Sequence, residues 1–218
     1  MEQGGYDIVL FDLGGVLVRL GGVHQMQELS GIDDEGEIWR RWLSCPWVRS
    51  FERGRCSPEE FAAGVVGDWG LDVTADSFLE RFRAWPEAVY GGAVELVREV
   101  AGRCRVGCLS NTNELHWADQ SSRWAFADLF EVVFLSYRLD MVKPDREIFD
   151  HVVAALEVAP ARILFLDDNA VNVDQARAAG WAGAVVSGAD EARSALVELA
   201  VLPGRAEAAG AGLDGRHP

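Results

Sequence analysis

The chain has 218 residues, of which 49% are hydrophobic and 25% are charged, as in an ordinary globular protein. Its formal net charge of −15 argues against a nucleic-acid partner, because phosphate backbones need a basic surface. The apolar runs are too short to span a membrane, and the first predicted strand starts too early to leave room for a signal peptide, so we expect a cytoplasmic protein without a membrane partner.

The acidic charge also constrains any anionic ligand. Because the protein repels anions at long range, a site for a phosphorylated substrate must be made locally positive by a metal ion or a placed cation. Nineteen of the twenty basic residues are arginine, and the only lysine is Lys143. Lys143 is either a remaining surface lysine or a position that needs an ammonium on a flexible stem. The four cysteines show no C-x2-C spacing, and we expect them to be reduced and structural.

Residues 8–11 form an apolar run that leads into Asp12 and then into Gly14 and Gly15. This pattern predicts a buried parallel strand that ends in a tight turn. Asp12 then lies at the carboxyl end of a strand, which is where ligands bind in open α/β sheets. An aspartate in that position is either a turn or cap former, or a nucleophile or metal ligand.

Residues 19–88 show helical patterns and no convincing strand. Short amphipathic helices are predicted over 33–43, 46–53, 57–69 and 74–85. The third of them has a strong start, with Ser57 as the cap and Glu60 three residues later. The stretch also holds five of the eight tryptophans, which we expect to form a small core, with one or two lining a substrate pocket. These five are Trp39, Trp42, Trp47, Trp69 and Trp85.

Helices and strands then alternate. Helices are predicted over 92–101 and 145–157, and strands over 105–109, 132–136, 163–166 and 184–186. Such alternation predicts a parallel sheet with right-handed crossovers. We therefore expect an α/β fold with a three-layer Rossmann-like core of residues 1–18 and 89–202, an inserted all-helical cap of residues 19–88, and a disordered tail of residues 203–218.

Three of the predicted strands end in residues that can do chemistry. In chain order these are Asp12, Ser110 with Asn111, and Asp167 with Asp168, and Lys143 precedes a helix on the same side. The carboxyl ends of parallel strands lie along one edge of a sheet, so these side chains can meet. Clustered carboxylates repel one another unless a cation lies among them. Oxygen ligands in small number favour Mg2+, which keeps several waters and is completed by a substrate phosphate.

With these segments in this order, the chain resembles the haloacid dehalogenase-like hydrolase superfamily, which consists mostly of phosphatases. The resemblance extends from residue 6 to near residue 186, and the helical stretch matches the inserted cap of that family. It is most similar to glucose-1-phosphate phosphatase-like enzymes and to the amino-terminal phosphatase domain of soluble epoxide hydrolases. The segments that carry it are Phe11-Asp12-Leu13-Gly14, Ser110-Asn111-Thr112-Asn113, Lys143-Pro144 and Asp167-Asp168-Asn169.

The resemblance implies a Mg2+-dependent phosphatase that acts on a small phosphorylated metabolite such as a sugar phosphate. Asp12 would attack phosphorus and form an aspartyl-phosphate intermediate. The Asp12 side chain, the Gly14 carbonyl and Asp168 would hold the Mg2+. Asp167 would be a supporting or alternative ligand.

The resemblance also assigns the phosphoryl oxygens to Ser110 and Asn111, with Lys143 offsetting their charge and keeping the nucleophile ionised. One position departs from the family pattern. The family places a second aspartate two residues after the nucleophile, where it protonates the leaving oxygen and then activates water, but this chain has Gly14 there. Loss of such a group typically costs about 10²- to 10⁴-fold in rate.

The candidates to replace that group are His116, His24 and Glu52, although each can equally be a surface or helix-stabilising residue. Two rival functions also stay open. One is a 2-haloacid dehalogenase, which uses the same aspartate to attack carbon without a metal. The other is a non-catalytic binding or regulatory module, which the glycine at position 14 would explain.

The predicted cap contains the residues that would select the substrate. Trp47, Arg49 and Arg53 are candidates to face the site, because an arginine there can meet a second anionic group, but they can equally be solvated helix faces. The sequence gives no indication of the oligomeric state.

Overall fold

A computed structural model describes residues 5–120 and 124–204. The strands are β1 (Ile8–Phe11), β2 (Val18–Leu20), β3 (Pro86–Val89), β4 (Arg105–Ser110), β5 (Val132–Leu135), β6 (Ile163–Asp167) and β7 (Ala182–Val185). The helices before β3 are α1 (Gly22–Ser30), α2 (Glu35–Ser44), α3 (Pro46–Glu52), α4 (Pro58–Trp69) and α5 (Ala75–Arg83). Those after it are α6 (Ala93–Ala101), α7 (Glu114–Gln120), α8 (Ser136–Leu139), α9 (Arg146–Leu156), α10 (Ala170–Ala178) and α11 (Gly188–Glu198). The predicted disordered tail lies outside the described residues from residue 205 onward.

Five strands form a parallel sheet in the order β5-β4-β1-β6-β7. Every residue of β1 and β6 is buried, because α6 and α11 pack against one face of the sheet, and α9 and α10 pack against the other. β1 pairs with β4 and β6 on its two sides, which brings the carboxyl ends of these three strands to one edge. The predicted α/β fold with a three-layer Rossmann-like core is confirmed.

Helices α1 to α5 surround a hydrophobic cluster of their own. Aromatic rings dominate it: the centroids of Trp42 and Trp85 are 4.6 Å apart, and the stacked rings of Phe51 and Phe61 are 4.4 Å apart. The predicted start of α4 is present as a full capping box around Ser57. Within the two described ranges, no helix is both long and apolar enough to cross a bilayer.

The boundary of this helical unit differs from the predicted pattern. β3 pairs antiparallel with β2, although its partly exposed residues, which begin with a proline, do not alternate like a strand. α1 lies outside the predicted helices, because it begins at Gly22 after another glycine, and paired glycines are typical of a turn. Gly22 instead makes room for an indole, since a Cβ added there would lie 2.4 Å from Trp85 Cε3.

Gly15 makes the turn that follows β1. Its φ of +73° lies in the left-handed region, and its carbonyl accepts a hydrogen bond of 2.7 Å from the Gly188 N–H. A Cβ added to Gly15 would lie 2.0 Å from Asp168 Oδ2. The position therefore needs glycine for its backbone conformation and, independently, for space.

We expect Gly15→Ala to destabilise the protein more than Gly31→Ala does. Gly31 has a φ of +70°, but no atom lies within 4 Å of a Cβ added there, so this control variant carries only the left-handed backbone cost of about 1–2 kcal/mol. Gly15→Ala carries that cost and also displaces the Asp168 carboxylate. Urea unfolding of both variants measures the difference, and equal losses would show that Asp168 moves aside freely.

Candidate active site

The carboxyl edge of the sheet gathers the polar residues that the sequence analysis identified. Asp12 follows β1, while Ser110 and Asp167 are the last residues of β4 and β6. Lys143 reaches the same edge from the segment between α8 and α9. One carboxylate oxygen from each of Asp12, Asp167 and Asp168 lies within 4.8 Å of the others. Residues from four separate parts of the chain thus meet in one place.

Lys143 is the cation of this edge. Its side chain is fully buried, and its Nζ lies 2.6 Å from Asp167 Oδ2 and 3.1 Å from Asp12 Oδ2. Burial alone favours the neutral amine, but the two carboxylates outweigh burial and raise the pKa of Lys143 above its usual value. The only lysine of the chain therefore supplies a permanent positive charge inside an acidic protein.

Asp12 is held at both carboxylate oxygens. The Leu13 N–H donates to Oδ1 at 2.7 Å, and the Lys143 ammonium contacts Oδ2. Burial raises the pKa of Asp12 to about 6, and the charge of Asp167 adds to this effect, whereas Lys143 and a hydrogen bond from Ser110 oppose it. Asp12 thus points at the cavity from a fixed orientation, with the Ser110 hydroxyl beside it.

Asp167 is surrounded by hydrogen-bond donors. Its Oδ1 accepts a bond of 2.7 Å from the Asn169 N–H, and Asn172 Nδ2 lies 3.1 Å from both oxygens. Together with Lys143, these donors occupy the carboxylate and orient it toward the ammonium, which leaves it less able to bind a metal. The sequence analysis did not identify Asn172. The only indication of its role is that a polar residue lies next to Val173 on the buried side of α10.

Asp168 completes an acidic cluster at the mouth of the site. Its side chain is exposed to the cleft and lies against Gly15. Loss of solvation raises the pKa of Asp168 to about 7, and the charges of Asp12 and Asp167 add to this. Three carboxylates that face one ammonium leave an excess of negative charge, which a divalent cation would neutralise. The all-oxygen donor set fits Mg2+, and Asp12, Asp168 and the carbonyl of Gly14, which lines the same cavity, are the groups that would hold it.

The segment after β4 is fixed by side chains of its neighbours. Asn111 Nδ2 donates to the Lys143 carbonyl at 3.0 Å, and Asn111 Oδ1 accepts from the Lys143 N–H at 2.8 Å. The buried Ser136 hydroxyl bonds to both the N–H and the carbonyl of Thr112. The Asn111 side chain therefore positions Lys143, and any phosphate contact from its Nδ2 would share that atom with the carbonyl. Sequence reasoning missed Ser136, whose signal was its place at the end of a predicted strand.

A cavity of about 140 Å3 lies between this edge and the helical unit. Polar groups of the sheet edge form its floor, and cap side chains form its roof. The floor residues are Asp12, Gly14, Asn111, Lys143 and Asp168. The roof residues include Trp39, Trp42, Phe51, Phe61, Phe82 and Trp85. Three of the five cap tryptophans therefore border the cavity.

The cap residues expected to face the site have other contacts. Arg49 Nη2 lies 2.8 Å from Asp145 Oδ2, and Arg53 Nη2 lies 2.5 Å from the same oxygen. These ion pairs attach α3 to the core two residues beyond Lys143. Trp47 is 39% exposed and packs over Gly64, where a Cβ would lie 2.1 Å from its ring.

The three candidates for the missing proton-transfer group lie in different surroundings. His24 is on the exposed side of α1, with its Nδ1 3.2 Å from Gln27 Oε1. His116 borders the cavity, but its Nε2 lies 2.8 Å from the Phe82 carbonyl and its Nδ1 lies 3.2 Å from Asn113 Nδ2. Glu52 borders the cavity beside Asn111, with its Oε2 3.4 Å from Asn111 Nδ2.

Comparison with known proteins identifies the family. A sequence model of haloacid dehalogenase-like hydrolases matches residues 6–180. A D-ribitol-5-phosphate phosphatase of Bacteroides thetaiotaomicron is 25% identical, over 79% of this chain and 88% of the relative. A sesquiterpene phosphatase of Aspergillus oryzae is 28% identical, over 82% of this chain and 88% of the relative.

A solved structure shares the fold. A haloacid dehalogenase (HAD) family enzyme of Bacteroides thetaiotaomicron, in complex with magnesium and inorganic phosphate, superposes with a TM-score of 0.67 at 25% identity and covers 83% of this chain and 94% of that chain. Since the family match spans most of the sequence and the fold agrees with it, this chain belongs to the haloacid dehalogenase-like hydrolases.

Proposed function

We propose that this hydrolase is a Mg2+-dependent phosphatase that acts on a small phosphorylated metabolite, with Asp12 as its nucleophile. The observation that carries the proposal is the Asp12 carboxylate at the cavity floor, 3.1 Å from a buried ammonium and within 4.8 Å of two further carboxylates. The phosphatases among the relatives, and the similar structure that binds magnesium and phosphate, support it.

In the proposed first step, an Asp12 oxygen bonds to phosphorus while the bond from phosphorus to the leaving oxygen breaks. Lys143 keeps Asp12 ionised and offsets charge on the phosphoryl oxygens, toward which Ser110 and Asn111 are the proposed donors. Bound Mg2+ would neutralise the charge shared by the acidic cluster and the phosphoryl group. In the second step, water attacks phosphorus and releases inorganic phosphate, which restores the Asp12 carboxylate.

The cavity restricts the organic part of the substrate. Its volume of about 140 Å3 must also hold the phosphoryl group, which favours a small organic part. An aromatic roof can stack on one face of a sugar ring, so a sugar phosphate is a suitable candidate. Values of kcat/KM across a set of phosphorylated metabolites would identify the preferred substrate.

All four cysteines are free thiols, which suits a reducing compartment, and we place the reaction in the cytoplasm.

The two rival functions make different demands on this site. A 2-haloacid dehalogenase must accept a carboxylate substrate, which Asp167 and Asp168 would repel without a neutralising cation. A non-catalytic module has no need for a buried ammonium that keeps Asp12 charged. Both arguments favour the phosphatase.

We expect the protein to release phosphate from p-nitrophenyl phosphate in the presence of Mg2+ and to lose this activity on addition of a chelator. Asp12→Asn should abolish turnover, because an amide cannot form the covalent intermediate. The exposed Asp72 offers a matched control, and Asp72→Asn should be as active as wild type. Turnover that persists in Asp12→Asn would remove Asp12 as the nucleophile, and a wild type inactive on every phosphomonoester would favour the module.

We expect Mg2+ to raise the melting temperature more at about pH 7.5 than at about pH 5. The pKa values of Asp12 and Asp168 are raised to about 6 and about 7, so the metal-free protein loses stability as the pH rises through these values and the carboxylates ionise and repel. Mg2+ binds the ionised cluster and so stabilises the folded state most at the higher pH.

Asp168→Asn should raise the melting temperature of the metal-free protein at about pH 7.5, because it removes one of the repelling charges, and should abolish the shift on adding Mg2+. Asp174→Asn, on the exposed side of α10, should keep the wild-type response. Differential scanning calorimetry with and without Mg2+ tests this. An unchanged Mg2+ response in Asp168→Asn would exclude this residue as a ligand.

A further inference from the structure

The glycine at position 14 leaves the proposed reaction without the usual group that protonates the leaving oxygen. We propose that Glu52, on the cap helix α3, is the catalytic residue that donates this proton and then accepts one from the attacking water. This inference rests on the proposed phosphatase function and adds to it a proton-transfer residue that comes from the cap instead of the core.

The first argument is the way α3 is attached to the core. Arg49 lies three residues before Glu52, the last residue of α3, and four residues before Arg53, which directly follows the helix, so each of the two shares a helix face with Arg49. Both arginines bind the Asp145 carboxylate, and Arg53 Nη1 also donates to the Asp140 carbonyl at 2.8 Å. These contacts hold that face of α3 against the segment that carries the catalytic-site lysine, and the Glu52 carboxyl is directed to the cavity.

The second argument is the hydrogen bonding of the Glu52 carboxyl. Glu52 borders the cavity together with Asp12 and Asn111. Within the described parts of the chain, the carboxyl accepts one hydrogen bond, a long contact of 3.4 Å from Asn111 Nδ2. A carboxyl group can make several hydrogen bonds, so this one retains capacity for a substrate oxygen or a water molecule.

The third argument is the charge around Glu52. Burial raises the pKa of Glu52 to about 7, the Asp12 charge adds to this, and Lys143, Arg49 and the hydrogen bond from Asn111 partly oppose it. These groups come from the sheet edge, from the segment that carries Lys143 and from α3 itself. A proton donor that must later act as a base works best when its pKa lies near the operating pH, so both forms of Glu52 are accessible at neutral pH.

The two histidine candidates are less suited to this role. The contact between His116 Nε2 and the Phe82 carbonyl requires the proton on Nε2, because a carbonyl only accepts, and Nδ1 then accepts from Asn113. Both ring nitrogens are thereby occupied in one tautomer. His24 lies on the exposed side of α1, where its ring contacts Gln27.

The proposed steps balance in atoms and charge. As the Asp12 oxygen bonds to phosphorus, the bond to the leaving oxygen breaks, and the Glu52 proton moves to that oxygen to give an alcohol. The Glu52 carboxylate then takes a proton from water while the water oxygen bonds to phosphorus and the Asp12–phosphorus bond breaks. Inorganic phosphate leaves, and protonated Glu52 and ionised Asp12 are restored.

The test compares two substrates in Glu52→Gln, which keeps the shape of the side chain but cannot exchange the proton. An alkyl phosphate has a poor leaving group and needs the acid, so its kcat/KM should fall by about 10²- to 10⁴-fold. p-Nitrophenyl phosphate releases a stable phenolate and should lose less than about tenfold. With the alkyl phosphate, wild-type activity should decline as the pH rises above about 7, and Glu52→Gln should not show this decline.

Glu59 provides the matched control, because it is an exposed cap glutamate in the first turn of α4, and Glu59→Gln should behave as wild type. Glu52→Asp keeps the charge and should recover part of the lost alkyl phosphate activity. Equal losses for both substrates in Glu52→Gln would reduce Glu52 to a positioning residue for Asn111 and overturn the inference, as would no loss for either. In both cases turnover by the wild type would leave the phosphatase proposal intact. A wild type that is inactive on both substrates would overturn the phosphatase proposal and the role of Glu52 together.

Discussion

The site depends on one buried cation. Lys143 lies between Asp12 and Asp167 with no exposed side-chain surface, and it lets two carboxylates approach each other where they are largely removed from water. A buried pair of this kind gains little stability by itself, because desolvation offsets much of the attraction. Removal of one partner is costly, however, because it leaves the others charged and unpaired. The arrangement thus fixes orientation more than it stabilises the fold.

The surrounding residues hold that cation in place from three sides. Asn111 binds the Lys143 backbone at both its N–H and its carbonyl, and Asn172 holds Asp167 toward the ammonium. Asp12, the proposed nucleophile, is oriented by the Leu13 N–H and the same ammonium. Buried polar networks are effective only when their members are satisfied. In this network the Asp167 oxygens are occupied by hydrogen-bond donors, whereas Asp12 and Asp168 face the cavity.

The division of the chain into sheet and cap gives the two parts different chemical roles. The sheet edge supplies most of the charged groups that line the cavity, whereas the described cap residues that line it supply an aromatic roof and one carboxyl group, that of Glu52. The ion pairs of Arg49 and Arg53 with Asp145 join the two parts next to Lys143. If Glu52 transfers the proton, as we propose, the reaction needs the cap docked on the sheet edge, because the proton donor belongs to the cap and the nucleophile to the core.

The sequence by itself determined the α/β core, because buried strands such as residues 8–11 and 163–166 are continuous apolar runs and their polar ends must fall on one edge of a parallel sheet. It also singled out Asp12, Lys143 and the 167–168 pair. It did not find β3, which is held by pairing with a strand far away in the chain and not by its own pattern.

Only the tertiary structure decided what each polar side chain contacts. Hydrogen bonds between residues distant in the chain leave no periodic signal, so the bonds of Asn172 and Ser136 appear only in the folded protein. Arg49, Glu52 and Arg53 lie close together at the end of α3, and the sequence offers all three as candidates for the site. The fold pairs the two arginines with Asp145 and directs Glu52 to the cavity, because the docking of the cap sets which of these charges finds an opposite charge in the core.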